Sequence, residues 1–249
     1  MMLRVCSVTR EFAGIRALDE VTFDVEKGSI TALIGPNGAG KTTLINVITA
    51  VVPPSAGCID FEGTVVSSTR PDRVANLGIR RTFQTVHLFQ EMTVRDNLVV
   101  GRFSRAMQNR LLSALTLPRW GDSTGRRRTD EVLELMGLSS VAEEVATDLP
   151  YGMQRRVEIA RALCADPRLV LLDEPAAGMN QAESDQLRGD VAVIREQGVT
   201  VLLIEHDMSL VMNVSDKVVV LDFGRKIAEG TPAEIQKDPA VISSYLGSA

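Results

Sequence analysis

GPNGAGKTT, residues 35–43, decides how this chain is read. It follows an apolar run at residues 30–34, precedes a helix-like stretch at residues 44–50, and fits G-x-x-x-x-G-K-[ST] from Gly35 through Thr42. Glycines at 35, 38 and 40 allow backbone conformations closed to other residues, so successive N–H groups can turn inward around a polyphosphate. The helix that follows adds its positive N-terminal end. On this reading Gly35, Pro36, Asn37, Gly38, Ala39, Gly40, Lys41, Thr42 and Thr43 cradle a nucleotide. Lys41 reaches the outer phosphates as a compact charge, and the Thr42 hydroxyl completes the shell of a Mg²⁺ ion that also takes phosphate oxygens. A glycine-rich turn with a chance lysine would require neither the spacing nor the flanking strand and helix.

With 249 residues the chain can bury a full α/β core, and it has one phosphate loop. Apolar residues at 45% and charged residues at 24% fit a globular protein and argue against disorder. No apolar run approaches the roughly 20 residues of a membrane-spanning helix. The start, MMLRVCSVTREF, carries charge early and lacks the apolar stretch of a secretory signal, so the expected compartment is the cytoplasm. Cys6, Cys58 and Cys164 are scattered and lack metal-type spacing, and they are expected to be reduced and without chemistry. A net charge of -5 gives no broad attraction to nucleic acid. The run Arg126, Arg127, Arg128 is expected to be a solvated helix start.

Rough alternation over residues 3–8 and 21–25 predicts two antiparallel strands, with Phe12 in the turn between them. Phe12 could stack on an adenine or serve in ordinary packing. Residues 53–57 read as a loop, 58–61 as a short strand and 79–83 as another, ending at Gln84. From 92 to about 163 the period is helical, broken by Pro118, Gly121 and Gly125. The unbroken apolar run at 169–172 is that of a parallel strand covered on both faces, residues 200–204 repeat the pattern from Thr200 onward, and a crossover helix at 181–196 joins them. Residues 218–221 and 226–228 flank Gly224 as a hairpin, and Thr231 ahead of Pro232 caps a terminal helix.

Polar groups collect where these strands end. Asp173 is placed to hold a metal's water shell, and Glu174 to orient or deprotonate an attacking water, unless the two carboxylates merely cap a helix. At the tip of the neighbouring strand, His206 could contact a terminal phosphate.

These motifs, in this order, resemble the ATP-binding subunit of an ABC transporter over residues 3–247. The resemblance implies an α/β fold: a P-loop NTPase (RecA-like) core with an antiparallel β edge layer and an inserted α-helical subdomain. It implies one nucleotide-binding domain over residues 1–249, with 1–88 and 160–249 as the ATP-binding core and 89–159 as the helical signature subdomain. Gln84 in RTFQ corresponds to the glutamine that senses metal and the transmembrane partner, and residues 149–154 to the signature, with Tyr151, Gly152 and Gln154 facing the partner's nucleotide. Residues 177–180 correspond to the loop at the dimer seam, Phe12 to the adenine-stacking aromatic and His206 to the switch histidine. The catalytic set so implied is Glu174, His206, Lys41 and Gln84. Thr42, Gln84 and Asp173 lie on the metal, and ATP and Mg²⁺ are the cofactors.

RTFQTVHLFQEMTVRDNL, YGMQRRVEIARAL, LLDEPAAGMN, LLIEHDM and a closing SSYLG are similar to the ATPases of importers for branched-chain and other hydrophobic amino acids. The resemblance implies a peripheral protein on the cytoplasmic face of the inner membrane. Its partners would be a second ATPase of the same type, two transmembrane permease subunits and, indirectly, a substrate-binding protein; nucleic acid is not among them. Relatives that move urea or amides, non-transport ATPases, and an ATP-binding regulatory subunit with weak turnover are the competing readings. One departure stands out: where the family has a signature serine, this chain has Pro150, which offers neither hydroxyl nor N–H.

Overall fold

The computed structural model describes residues 1–108 and 123–246. In chain order the elements are β1 (Leu3–Phe12), β2 (Ile15–Val25), β3 (Ile30–Ile34), α1 (Lys41–Ile48), β4 (Ala56–Phe61), β5 (Thr64–Val65), α2 (Pro71–Leu77) and β6 (Ile79–Arg81). They continue with α3 (Val94–Gln108), α4 (Ser123–Leu135), α5 (Tyr151–Leu163), β7 (Leu169–Asp173), α6 (Gln181–Glu196), β8 (Thr200–Ile204) and α7 (Met208–Val214). Last come β9 (Lys217–Asp222), β10 (Arg225–Gly230), α8 (Pro232–Ile235) and α9 (Pro239–Leu246).

The strands form two sheets. One is antiparallel in the order β2-β1-β4-β5; the other runs β10-β9-β3-β8-β7-β6, parallel except for β10, which folds back on β9. All five residues of β7 and of β8 are buried, and the two-residue period of a strand divides them between two cores. Leu169, Leu171, Leu202 and Ile204 join the core that α1 and the antiparallel sheet also fill. Val170, Leu172, Val201 and Leu203 join the one built with α3, α4, α5 and α6. That two-sided cover is why residues 169–172 and 201–204 are apolar at every position, and each such side chain contributes roughly 1.5–3 kcal/mol of burial. A third core sets Val218, Val220 and Val211 against Ile235 of α8 and Val241 of α9.

The caps follow from local chemistry. Asn180 accepts from the Glu183 N–H at 3.0 Å while its own N–H donates to Glu183 Oε2 at 2.9 Å, a reciprocal cap at the start of α6. Thr231 and Glu234 repeat the arrangement ahead of α8, with Pro232 in the first turn.

In several places the structure departs from the sequence expectation. Phe12 is the last residue of β1, paired with Ile15; the turn itself is Ala13 and Gly14, both left-handed at φ 46° and 86°, as a two-residue hairpin loop requires. The strand expected over residues 79–83 stops at Arg81, because the Phe83 carbonyl accepts from the buried Arg155 guanidinium instead of a neighbouring strand. The helix expected from residue 44 begins at Lys41. Gly125 does not break the helical segment but lies in the first turn of α4, while Pro118 and Gly121 fall outside the described residues, as does Gly247 of the closing motif.

The expected solvated helix start at residues 126–128 lies within α4, where Arg127 pairs with Glu131 at 2.9 Å and Arg128 with Asp166 at 2.9 Å. Such exposed pairs are worth at most about 1 kcal/mol. Cys6 and Cys58, distant in sequence, face each other across the β1–β4 ladder, and burial pushes the Cys6 thiol up. Burial also pushes the Cys164 thiol up to about 12. Raised thiols are poor nucleophiles.

Candidate functional site

The loop between β3 and α1 is shaped by what its glycines avoid. Gly35 has φ 149°, and a Cβ there would lie 2.1 Å from the Leu221 carbonyl oxygen; Gly40, at φ 100°, would place one 2.7 Å from the Ala17 oxygen. The hairpin tip between β9 and β10 braces the loop, with the Gly224 N–H donating to the Ala39 carbonyl at 3.0 Å. Among the described residues no hydrogen bond is made by the N–H groups of Gly38, Gly40, Lys41, Thr42 or Thr43. The last three open α1, where helix geometry leaves them without an intrahelical acceptor. Five unspent donors around one loop form a receptor for an anion with several oxygens.

Lys41 is buried, with its Nζ donating to the carbonyls of Gly35 at 2.6 Å and Pro36 at 2.9 Å. Burial lowers its pKa, and the nearby Glu174 and Asp173 pull it back up. The ammonium therefore sits within the field of both carboxylates while it props the loop.

Asp173 closes β7 at 6% exposure, its carboxylate paired with Arg81 at 2.7 Å. The next residue, Glu174, is left-handed at φ 46°, a strain of roughly 1–3 kcal/mol. Its N–H donates to the Ile204 carbonyl at 2.9 Å, which fixes the turn to the end of β8. Gln84 Nε2 donates to Glu174 Oε2 at 2.7 Å, and His206 Nδ1 lies 4.0 Å from the same oxygen, on a ring 61% exposed. Gln84, Glu174 and His206 thus meet at one point, Asp173 is one residue away, and Lys41 is coupled to both carboxylates.

Thr42 hydroxyl, Gln84 carbonyl and Asp173 carboxylate are hard oxygen donors, the chemistry Mg²⁺ selects when it keeps most of its waters and takes phosphate oxygens. Gln84 spends its amide N–H on Glu174, leaving its carbonyl oxygen for such a use. The donor set fits the ion.

The signature residues lie elsewhere. Pro150 is the N-cap of α5 and makes no side-chain cap; Tyr151 is 39% exposed and Gly152 is buried. A Cβ on Gly152 would come 2.7 Å from Glu183 Oε1, and one on Gly178 would come 3.6 Å from the Tyr151 ring, so the signature and residues 177–180 share one surface. Gln154 turns inward, its Nε2 donating to the Thr147 carbonyl at 2.9 Å and the Leu149 carbonyl at 2.8 Å. Among the described residues no hydrogen bond or ion pair joins Tyr151, Gly152 or Gln154 to the phosphate loop. Phe12 is 42% exposed at the hairpin end, with the Arg10 guanidinium 4.3 Å from its ring centroid, so one ring face is covered by a cation.

Three residues matter that sequence reading passes over. Glu205, fully buried, accepts from the N–H groups of Ala176 at 2.8 Å, His206 at 3.1 Å and Asp207 at 3.3 Å, tying the loop after β7 to the one after β8. Burial raises its pKa against the pull of those amides. Arg155, also fully buried, donates to the carbonyls of Phe83 and Gln84, to Glu158 at 2.8 Å and to Tyr151 at 3.2 Å, so the signature helix holds the backbone of the Gln84 segment directly. The third is Arg81. The signal for all three is weak: an ordinary charged residue beside a recognisable motif, whose partner depends on tertiary packing.

The ABC transporter family model matches residues 18–177, and the model for a branched-chain amino acid ATP-binding cassette transporter matches residues 225–249. A high-affinity branched-chain amino acid transport ATP-binding protein, BraF of Pseudomonas aeruginosa, is 42% identical over all of this chain and 98% of its own length. LivG of Escherichia coli, described in the same words, is 40% identical at the same coverage. A crystal structure of the ADP conformation of an ATP-binding cassette of an ABC transporter superposes with a TM-score of 0.87, at 34% identity over 99% of this chain and 98% of the other. With the free amides, the paired strand ends and these likenesses together, the chain belongs to the ABC transporter family, as one of its ATP-binding cassette ATPases.

Proposed function

We propose that this cassette drives import of branched-chain or other hydrophobic amino acids, as one of two ATPase subunits on the cytoplasmic face of the membrane. The observation that carries the catalytic reading is the meeting of Gln84, Glu174 and His206 beside a loop of unspent amides. The substrate class is supported by the names of the relatives and the family match over residues 225–249. Among the described residues no helix is long and apolar enough to cross a membrane, and in this reading partner permeases supply the membrane path. Clefts of about 560 Å³, lined by Gln90, Glu91, Val145, Thr147 and Asp148, and 380 Å³, around His87, Leu88 and Phe89, border the segment after Gln84, where such a partner would engage.

In this mechanism the phosphate-loop amides bind the triphosphate of ATP, Lys41 leaves its two carbonyls for the outer phosphates, and Phe12 offers its free ring face to the base. Thr42, Gln84 and Asp173 would hold Mg²⁺, which would supply neutralisation of charge on the phosphates. Glu174 orients and deprotonates the attacking water through the oxygen not held by Gln84, while His206 contacts the terminal phosphate. Tyr151, Gly152 and Gln154 serve the nucleotide of the opposing cassette, so two subunits close over two ATP molecules. ATP shifts that equilibrium only by preferring the closed pair. Residues 89–108 and 123–159 would carry this movement, with Arg155 as their link to Gln84.

Reconstitution with the two permeases, a second cassette and the binding protein tests the assignment. Leucine-loaded binding protein is expected to raise ATP turnover and drive uptake into vesicles. Stimulation by urea or amides instead would overturn the substrate class, and no stimulation by any cargo would favour a regulatory subunit.

Pro150 is the observation that favours weak turnover. Pro150→Ser supplies an N-cap hydroxyl, worth about 0.5–2 kcal/mol to α5, and a donor to the opposing γ-phosphate. One charge-assisted hydrogen bond of about 1.5–3 kcal/mol corresponds to roughly ten- to a hundredfold faster turnover in the assembled complex, measured as phosphate release. An unchanged rate would remove the idea that Pro150 weakens the shared site.

A further inference from the structure

We propose that Arg81 is a positioning residue for the carboxylate that serves the metal, an inference that rests on the reading of Asp173 above. Arg81 ends β6, and its guanidinium lies 2.7 Å from Asp173 Oδ2 through Nη2 and 2.7 Å from Asn46 Oδ1 through Nη1. The side chains of Arg81 and Asp173 are only 12% and 8% exposed, so water does not screen the pair. Its Nε is buried without a partner; the planar fork is spent on these two bonds. Among the described residues Arg81 is the one cation within ion-pair distance of Asp173.

The three elements joined are those that converge on the site. Asn46 lies four residues after Thr42 on α1, hence below it on the same helix face. Asp173 ends β7. The chain leaving Arg81 runs through Phe83, whose ring lies 5.1 Å from the guanidinium carbon, to Gln84. One rigid fork therefore sets the spacing among the helix that carries Thr42, the strand that carries Asp173 and the segment that carries Gln84. By holding Oδ2 it stops the carboxylate from turning, and the other oxygen is left for the metal's water shell. Arg81 touches no phosphate-loop amide and does not act on the substrate itself.

The test uses the full-length chain and a non-hydrolysable ATP analogue, with affinity read by calorimetry in EDTA and across a Mg²⁺ titration. Arg81→Met is expected to bind the analogue in EDTA within about twofold of wild type while needing roughly 10- to 100-fold more Mg²⁺ for half of the Mg²⁺-dependent gain, the range for losing a group that orients a metal ligand. Arg81→Lys keeps the charge but cannot span Asn46 and Asp173, and is expected to fall between. An unchanged Mg²⁺ requirement in folded Arg81→Met overturns the proposal, and so does a lowered one, which would make Arg81 a competitor of the ion. Should Arg81→Met fail to fold by circular dichroism, an unchanged requirement in Arg81→Lys overturns it equally. A wild type indifferent to Mg²⁺ would overturn the metal reading itself and this proposal with it, an outcome distinct from an Mg²⁺-dependent wild type with an indifferent variant.

Discussion

Glu174→Gln is expected to lower ATP turnover by about 10²–10⁴-fold, the usual worth of a positioned general base, while leaving ATP affinity nearly intact. The substitution is nearly isosteric, and the amide oxygen can still accept from Gln84 Nε2, now at 2.7 Å from Glu174 Oε2. The left-handed turn at φ 46° depends on the Glu174 backbone and its bond to Ile204, so it also survives. What disappears is the negative charge that accepts a proton from water. Phosphate release by the assembled transporter measures the loss, and equilibrium binding measures what is kept. Turnover within a factor of a few of wild type would remove Glu174 from the role of base.

Lys41→Met is expected to act at the earlier step, weakening ATP binding by roughly ten- to a hundredfold for each charge-assisted hydrogen bond that the ammonium no longer donates to the phosphates. Its effect on stability is expected to be small, about 1 kcal/mol in either direction. Two opposing terms explain this. The variant leaves the carbonyls of Gly35 and Pro36 without their donor, but it also removes an ammonium whose burial already disfavours its charge. Calorimetric titration with ATP and a thermal melt of the same sample separate the two effects. A large loss of stability with affinity unchanged would make Lys41 a prop for the loop and nothing more.

The parts of the fold legible in the sequence are those where one residue type serves one local demand. Continuous apolar runs mark β7 and β8 because both faces are covered, and the start of α6 can be read because Asn180 and Glu183 form a reciprocal cap there. Gly35 and Gly40 are readable because backbone lies where a side chain would go.

Less legible are features that tertiary partners decide. Nothing local in RTFQ says that the Phe83 carbonyl belongs to Arg155, so the expected strand runs two residues too far. Glu205 and Arg81 read as ordinary charges next to stronger motifs, and only the packing of β6, β7 and β8 brings them to the amides and the carboxylate they hold. Cys6 and Cys58, scattered in the sequence, become neighbours only through the β1–β4 register.

Under this proposal each nucleotide is held by one cassette and finished by the signature of another. Photolabelling of the assembled transporter with an ATP analogue carrying an aryl azide on its γ-phosphate distinguishes a shared site from a self-contained one. In this experiment the chain carries Lys41→Met and its partner cassette is intact, and the labelled peptides are identified by mass spectrometry. Label is expected on residues 149–154 of the substituted chain, delivered by nucleotide on the partner's loop. If that label disappears with Lys41→Met, the nucleotide was held by the same subunit that it labels, and the shared site is contradicted.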